Sequence, residues 1–355
     1  MSLPYETKEF AVFVSWRLPR IQTQTWACPC SQISIPKTAP MVHRPESVLR
    51  YFDANPDGTL VEYLAELMGQ HPSAVFTASL QEQGKHIVPV EQLQSAVDLT
   101  PDRLNSKVLQ ISPSTVLKVG WRVGMHEAEA LMLLAAKTTV PVPKVLSAYT
   151  IGDIGFILMS KIEGETLGSC WDSLSPEELH GVGRQLKSYV AQWRGLGSCF
   201  LGTVDSGPCQ DILFNHPWDY KSSKTYGPFN SVEEYKAGVI EALRQSRPPG
   251  IWYEKEEALR EKILSFAYTK STFPGVLTHG DLHEGNIMIK DGVVSGIVDW
   301  GESGYSPRER EFFAAKRKSL DDCWTEIIHY AIPFLKEEYE LMDEIDRSMM
   351  RYSPV

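Results

Sequence analysis

The sequence predicts an α+β protein in which a strand-rich part precedes a largely helical part. A β-rich run, Thr115–Val119, is followed by a stretch rich in Ala, Leu and Met, as is typical of a strand and then a helix. Two apolar runs flank Asp291-Gly292, the preferred pair for a two-residue type I′ turn, and this indicates a β-hairpin. Helical patterns that start at Ser175-Pro-Glu-Glu178 occupy much of the second half.

The N-terminal part of the chain has no pattern that indicates a role. Residues 23–40 are rich in Thr, Ser, Pro and Cys, which favours loop or disorder. Two helical stretches, Glu46–Phe52 and Leu60–Met68, flank an Asn55-Pro-Asp-Gly58 turn. We interpret residues 1–85 as an N-terminal extension of unknown role.

Three helices are expected after the middle of the chain. Ser175-Pro-Glu-Glu178 is a helix start that leads into His180–Trp193, where apolar residues recur at helical spacing. Ser231–Arg244 and Trp252–Phe266 have the pattern of two further helices. The sequence contains no internal repeat and no low-complexity tract.

The residues that best indicate a chemical function lie in the segment His279-Gly-Asp-Leu-His-Glu-Gly-Asn286. Asp299-Trp300 follows later in the chain. Asp281 can accept the proton of an attacking hydroxyl group. Asn286 and Asp299 offer the oxygen ligands that Mg²⁺ prefers. The alternative is a polar turn between two strands. Because the stretch lies between apolar runs in the right order, it predicts Mg²⁺-dependent phosphoryl transfer.

The hairpin explains why the two metal-binding groups should meet. If the turn pairs Lys290 with Val293, regular pairing places Asn286 opposite Ile297. Asp299 lies two residues beyond Ile297, so Asn286 and Asp299 project from the same side at about 7 Å. We therefore expect a metal site at the open end of the hairpin.

This motif resembles that of the aminoglycoside phosphotransferase/choline kinase family, a branch of the protein-kinase-like fold. Three upstream segments also match, in the expected order. The strand with the nucleotide lysine is Val116-Leu-Lys118-Val-Gly120, and the helix whose glutamate pairs with that lysine is His126-Glu-Ala-Glu129-Ala-Leu-Met-Leu-Leu134. The hinge that holds adenine is Ile157-Leu-Met159-Ser-Lys-Ile162-Glu-Gly164. The resemblance implies a two-lobed fold. Residues 86–165 form the N-lobe and hinge, and residues 166–355 form a C-lobe with the catalytic hairpin.

The resemblance also assigns nucleotide-binding residues. Lys118 orients the phosphates, although alone it also fits a solubilising lysine on an edge strand. Glu127 and Glu129 point about 200° apart around a helix, so only one of them can face that strand. The family alignment selects Glu129 as the partner of Lys118, with a solvated helix face as the alternative. The backbone around Ser160 and Ile162 binds adenine.

The part of the chain predicted to bind the nucleotide departs from the family pattern in one respect. Kinases usually cover the phosphates with a glycine-rich loop, but Leu99-Thr-Pro-Asp-Arg-Leu-Asn-Ser106 contains no glycine. The residues that touch the phosphates therefore stay unassigned, and GTP stays open beside ATP. A non-catalytic kinase-like protein that binds a nucleotide or another ligand is the alternative function.

The residues after Asp299 bear on the acceptor. Only about ten residues separate Asp299 from Glu311, the end of the segment Tyr305–Glu311, whereas a protein kinase needs a longer activation loop that ends in Ala-Pro-Glu. A small hydroxylated molecule is therefore favoured over a protein. Residues 321–346 carry nine acidic side chains, so a cationic acceptor is one expectation, with no substrate-binding residue assigned. We interpret His279 as structural, and His283 is ambiguous.

Composition and charge indicate the general type of protein and the partners that it can bind. The 355 residues are 43% hydrophobic and 23% charged, which is typical of a globular protein with a sizeable core. A net charge of −10 argues against nucleic acid or an anionic membrane as a partner. Six Cys do not form a disulfide framework, and Cys28-Pro-Cys30 lacks zinc-finger spacing. The apolar run Phe10–Trp16 is too short to cross a bilayer, so we expect a cytoplasmic protein.

Overall fold

The structure is a computed structural model that describes residues 45–70, 73–103, 106–214, 216, 218, 224–268, 275–318 and 322–352. The expectations for residues 1–42, among them those for Cys28 and Cys30, lie outside this part. The described chain forms an α+β arrangement of two lobes, in which a six-stranded antiparallel sheet is followed by a mainly helical lobe.

The N-lobe is built on one sheet with the strand order β1-β5-β6-β4-β3-β2. Its elements in chain order are α1 (Glu46–Ala54), α2 (Leu60–Gln70), β1 (Val75–Phe76), α3 (Val90–Ser95), β2 (Val97–Asp98), β3 (Ser106–Ser112), β4 (Thr115–Gly120), α4 (Met125–Lys137), β5 (Val145–Ile151) and β6 (Ile154–Ser160). Strand β4 carries Lys118 and lies between β3 and β6, so the lysine is placed in the interior of the sheet.

The described residues between 45 and 85 pack against the N-lobe sheet. The two predicted helices are present as α1 and α2, joined by a turn in which Gly58 N–H donates to Asn55 O. Strand β1 pairs with β5, with Val75 opposite Thr150. Buried side chains of α1 and α2 pack in one core with β4 and β6 of the sheet. The predicted boundary at residue 85 therefore falls within the lobe.

The C-lobe combines helices with two small antiparallel sheets of order β11-β10-β7 and β12-β9-β8. Its elements are β7 (Glu165–Thr166), α5 (Leu167–Cys170), α6 (Pro176–Arg194), β8 (Gly197–Ser198), α7 (Val232–Gln245), α8 (Glu254–Ser265), β9 (Gly275–Thr278), β10 (Ile287–Lys290), β11 (Val293–Ile297), β12 (Gly304–Ser306), α9 (Arg310–Arg317), α10 (Asp322–Ala331) and α11 (Lys336–Met350). The described helices include none that is long and apolar enough to cross a membrane.

The predicted helices of this lobe are confirmed. Helix α6 begins with a capping box, because the Ser175 hydroxyl accepts from Glu178 N–H and the Glu178 carboxylate accepts from Ser175 N–H. The Ser231 hydroxyl caps α7 by accepting from Glu234 N–H. Helix α8, Glu254–Ser265, lies within the stretch predicted at 252–266.

The hairpin β10–β11 is present, but its register differs from the prediction. Lys290 pairs with Val293 as expected, whereas Met288 pairs with Gly296 and Ile287 with Ile297. Ser295 is therefore an extra residue, and it donates through its hydroxyl to Glu163 O at 2.6 Å. This bulge shifts the pairing by one, so the expectation that Asn286 faces Ile297 is wrong.

Candidate active site

A buried ion-pair cluster joins the N-lobe to the C-lobe. Lys118 Nζ lies 2.7 Å from both carboxylate oxygens of Glu127 and 2.7 Å from Asp299 Oδ1. The side chains of Lys118 and Glu127 are only 8% and 2% exposed. A lysine on β4 is thus fixed between a helix of its own lobe and the end of the catalytic hairpin, which orients its ammonium group.

The glutamate that pairs with Lys118 is Glu127, so the prediction of Glu129 is wrong. Glu129 accepts hydrogen bonds from the Thr77 hydroxyl and from Ser79 N–H, which lie in the segment after β1. Because Glu127 and Glu129 point to different sides of α4, the pairing of Glu129 with this segment turns Glu127 toward β4.

Electrostatic interactions keep Lys118 and Asp299 charged. Burial alone would lower the pKa of Lys118, but the charges of Glu127 and Asp299 raise it well above its ordinary value. Burial would raise the pKa of Asp299, but Lys118 and Arg103 hold it well below its ordinary value. Asp299 is therefore a carboxylate at neutral pH, as an oxygen ligand for a metal must be.

His279 connects the catalytic loop to the hairpin. Its Nδ1 accepts from Asp281 N–H at 3.2 Å, and its Nε2 lies 3.0 Å from Val298 O. Both contacts are hydrogen bonds when the ring hydrogen is on Nε2. The ring also packs against Trp300 with a centroid distance of 4.5 Å. The structural interpretation of His279 agrees with this geometry, since it holds Asp281 and the residue before Asp299 in one unit.

Two buried residues of α9, whose role the sequence analysis missed, anchor the same loop. Glu311 accepts from His279 N–H at 2.7 Å, Gly280 N–H at 3.3 Å and the Trp193 indole at 3.0 Å. Arg310 pairs with Asp211 and donates to Glu302 O. The available signal was the run Arg308-Glu-Arg-Glu311, which places charges on every face of a helix.

Gly280 allows the catalytic loop to lie this close to its supports. Its φ is +77°, and a Cβ atom at this position would lie 2.4 Å from Glu302 O and 2.4 Å from an Arg310 nitrogen. Any other residue would push the loop away from α9, so glycine is required before Asp281.

The candidate base, Asp281, has two neighbours that fix its carboxylate. Its Oδ1 pairs with Lys318, which follows α9. Its Oδ2 lies 3.5 Å from Asn286 Nδ2, and Nδ2 also donates to Asp281 O at 2.8 Å. His283 caps the short helical turn Glu284–Asn286 through its Nδ1, and burial lowers its pKa. This supports a structural role for His283 in shaping the loop.

Asn286 and Asp299 fit a magnesium ion by their chemistry. The amide nitrogen of Asn286 is engaged with Asp281 O, so its amide oxygen faces another direction and is available as a ligand. Asp299 lies two residues after β11 and has a φ of +64°, a left-handed conformation that redirects its carboxylate. The regular strand alternation used in the prediction therefore ends before Asp299.

The remaining coordination of such an ion has to come from elsewhere. Within the described ranges, no group of three or more His, Cys, Asp or Glu side chains could hold a metal. Mg²⁺ keeps several waters and often shares phosphate oxygens, so one carboxylate and one amide are a sufficient protein contribution.

The hinge follows β6. Ser160 N–H donates to Lys144 O at 2.9 Å and Lys161 N–H donates to Ser114 O at 2.8 Å. No hydrogen bond within the described part uses Ile162 N–H. If the hinge binds adenine, the Ser160 N–H is thus committed elsewhere, and Ile162 supplies the available donor.

Four of the acidic C-terminal residues pair with cations. Glu344 contacts Lys262, Asp343 contacts Arg347 and Asp346 contacts Arg317. Their charges are therefore partly neutralised locally. Asp321, which belonged to the same expectation, lies outside the described residues.

Comparison with known proteins places this geometry in a family. The model of the phosphotransferase enzyme family matches residues 88–326. The chain belongs to this family. An aminoglycoside 3′-phosphotransferase from Enterococcus faecalis is 27% identical over 209 residues, which are 56% of this chain and 67% of that protein.

Solved structures give similar matches at low identity. The streptomycin–ATP–APH(2″)-IIa ternary complex is 17% identical with a TM-score of 0.47, over 77% of this chain and 87% of that one. The aminoglycoside phosphotransferase APH(4)-Ia is 14% identical with a TM-score of 0.47, over 83% and 89%. Family membership confirms the predicted phosphotransferase class, and the described structure has the predicted α+β arrangement of two lobes.

Proposed function

We propose that the protein transfers the γ-phosphate of ATP to a hydroxyl group of a small molecule in a Mg²⁺-dependent reaction. The observation that carries this proposal is the His279 unit. One ring holds Asp281 N–H and Val298 O, and thereby sets the candidate base against the strand end that carries Asp299. A base and a hard oxygen ligand in one rigid unit, beside an oriented lysine, are the groups that phosphoryl transfer requires.

Each residue has a defined task in this reaction. Asp281 accepts the hydrogen of the acceptor hydroxyl while the acceptor oxygen forms a bond to the γ-phosphorus. The bond from the γ-phosphorus to the bridging oxygen breaks, and ADP leaves. Lys118, braced by Glu127, binds the phosphates. Ile162 N–H and the Ser160 carbonyl bind adenine.

Asp299 and the amide oxygen of Asn286 would hold Mg²⁺. When bound, the ion neutralises phosphate charge and aligns the oxygens for transfer. Asp281, which pairs with Lys318, has no part in that coordination.

The acceptor is a hydroxylated small molecule in this proposal. The short connection from Asp299 to α9, which starts at Arg310, leaves little chain to support a peptide. The relative from E. faecalis supports amino sugars as the first compounds to test. The proposed cationic acceptor rests on net charge, because the C-terminal carboxylates are partly occupied by other cations.

The test is ADP formation by the full chain with MgATP and a panel of amino sugars, aminocyclitols, amino alcohols and neutral sugars. Asp281→Asn should lower turnover about 10²-fold or more while nucleotide affinity is kept. Asp153→Asn, at an exposed turn between β5 and β6, is the matched control. Unchanged turnover in Asp281→Asn would remove the base from the mechanism.

Two other outcomes would replace the proposal. Wild-type protein that binds MgATP but forms no product with any compound of the panel would support the non-catalytic alternative. Efficient phosphorylation of a generic protein substrate would support a protein kinase.

A further inference from the structure

The loop between β2 and β3 occupies the place where a glycine-rich loop would cover phosphates. Strand β3 pairs with β2 on one side and with β4, which carries Lys118, on the other. The loop holds Arg103 in contact with Asp299 across the cleft, with Nη1 and Oδ2 3.2 Å apart. The loop thus faces the residues that the proposed function assigns to the nucleotide.

In the described part of this loop, residues 99–103, few backbone N–H groups are free to bind phosphates. Leu99 N–H donates to Val108 O, and Arg103 N–H donates to Thr100 O. Thr100 N–H donates to Asp98 Oδ1 at 2.8 Å. Proline at 101 has no N–H. Of residues 99–103, Asp102 is therefore the single one whose N–H is not already engaged or missing.

The same loop is anchored, which defines where Arg103 lies. Lys107 Nζ donates to Thr100 O at 3.2 Å and to Pro101 O at 2.7 Å, and it pairs with Asp98 at 2.9 Å. Val108 N–H donates to the Thr100 hydroxyl at 2.9 Å. The base of the loop is therefore fixed, and the guanidinium of Arg103 projects from it toward the C-lobe.

The contact between Arg103 and Asp299 is one that a ligand can exchange. The Arg103 side chain is 51% exposed, and an ion pair this open contributes little to stability. Asp299 keeps Lys118 as its partner on the other oxygen, at 2.7 Å. A divalent cation bound at Asp299 would repel the guanidinium, and the phosphates of a bound nucleotide would offer it new anionic partners.

We infer that Arg103 moves from Asp299 to the phosphate oxygens when the magnesium nucleotide binds, and replaces the backbone donors of a glycine-rich loop. This inference rests on the proposed function. A guanidinium group is suited to the task because its planar N–H donors match two phosphate oxygens at once. Arg103 thus binds the nucleotide through its side chain, whereas a glycine-rich loop binds it through backbone N–H groups.

The experiment measures nucleotide affinity of the full chain by isothermal titration calorimetry, with MgATP and with adenosine as ligands. Arg103→Ala should raise the Kd for MgATP about tenfold and leave the Kd for adenosine unchanged, because adenosine has no phosphate. Arg103→Lys should recover part of the affinity, since lysine restores the positive charge but not the planar set of N–H donors. Arg50→Ala, at an exposed position of α1, should change neither value.

Several results would overturn the inference. Equal MgATP affinity in Arg103→Ala and wild type would show that Arg103 does not touch the phosphates. Tighter binding in Arg103→Ala would show that Arg103 competes with the ion for Asp299. A parallel loss of adenosine affinity would indicate a structural role. Wild-type protein that binds no MgATP would overturn the proposed function as well, which separates the two failures.

Discussion

Replacing Glu127 with Gln distinguishes the two glutamates of α4 by their contacts. The change removes the charge that Lys118 faces at 2.7 Å and keeps the shape of the side chain. Removing one partner from a buried ion pair costs about 3–5 kcal/mol. Because Asp299 remains 2.7 Å from Lys118, we expect a loss near the lower end of that range.

The matched variant is Glu129→Gln, two residues along the same helix. Glu129 is partly exposed and accepts from Thr77 and Ser79, so its replacement should cost about 1 kcal/mol. Glu127→Gln should lower kcat/KM about 10²-fold, because Lys118 loses the group that positions it. Glu129→Gln should leave kcat/KM close to the wild-type value.

Urea denaturation followed by circular dichroism gives the two stabilities, and ADP formation gives kcat/KM. A larger loss of activity in Glu129→Gln than in Glu127→Gln would refute the pairing seen in the structure. Equal losses in both variants would indicate that neither glutamate specifically orients Lys118.

Three further changes test other parts of the site and its support. Asp299→Ala should abolish the Mg²⁺-dependent part of the thermal shift that ATP causes, and a shift that is equal with and without Mg²⁺ in wild type would contradict the metal site. Lys318→Ala should lower kcat with the Kd for MgATP unchanged, because Asp281 loses its cationic partner; Lys316→Ala, which loses only a bond to Thr325, is the control, and equal kcat in both variants would contradict this role. Burial raises the pKa of Glu309 from 4.5 to about 7, so wild type should lose roughly 3 kcal/mol of stability relative to Glu309→Gln as pH rises from 4.5 to 7, and parallel stability curves would contradict it.

The direction in which Glu309 changes stability with pH depends on whether the folded or the unfolded state holds the proton. Between pH 4.5 and 7 the folded protein holds a proton on Glu309 that the unfolded chain has released, so a rise in pH favours unfolding. Asp299 acts in the opposite direction at lower pH, because its pKa is depressed in the folded protein. Its contribution is present above its unfolded pKa of 3.8 and is lost as the pH falls below that value.

Local sequence signals predicted the elements that depend on nearby residues. The Asp291-Gly292 turn and the Ser175 capping box are set within a few residues, and both are present. The bulge at Ser295 was not predictable in this way. It coincides with a hydrogen bond from Ser295 to Glu163 O, and a Cβ atom at Gly296 would lie 2.7 Å from Ile162, so the hinge determines the register.

The choice between Glu127 and Glu129 depends on contacts that are distant in sequence. Helix α4 has apolar residues on several sides, so its own pattern does not fix which glutamate faces β4. The segment after β1 decides it, since Thr77 and Ser79 take Glu129. That segment had been interpreted as part of an extension, and its role in the lobe was therefore missed.

Long-range ion pairs at the site are a second class of feature that the sequence did not reveal. Lys318 meets Asp281 from the end of α9, and Arg103 meets Asp299 from a loop of the other lobe. Arg103 follows Pro101-Asp102 and Lys318 ends the basic run Lys316-Arg317-Lys318, and neither pattern marks a function. Their partners are defined by the packing of the lobes, whereas the roles proposed for Asp281 and Asn286 came from one contiguous motif.

The most direct test follows the γ-phosphate itself. The full chain is incubated with Mg²⁺, ATP labelled in the γ-phosphate and the panel of hydroxylated small molecules, and the products are separated and identified by mass spectrometry. We expect wild-type protein to form a phosphomonoester that carries the label, and Asp281→Asn to form none. Label that stays in ATP, or that appears only as inorganic phosphate whichever compound is present, would contradict transfer to a small-molecule hydroxyl.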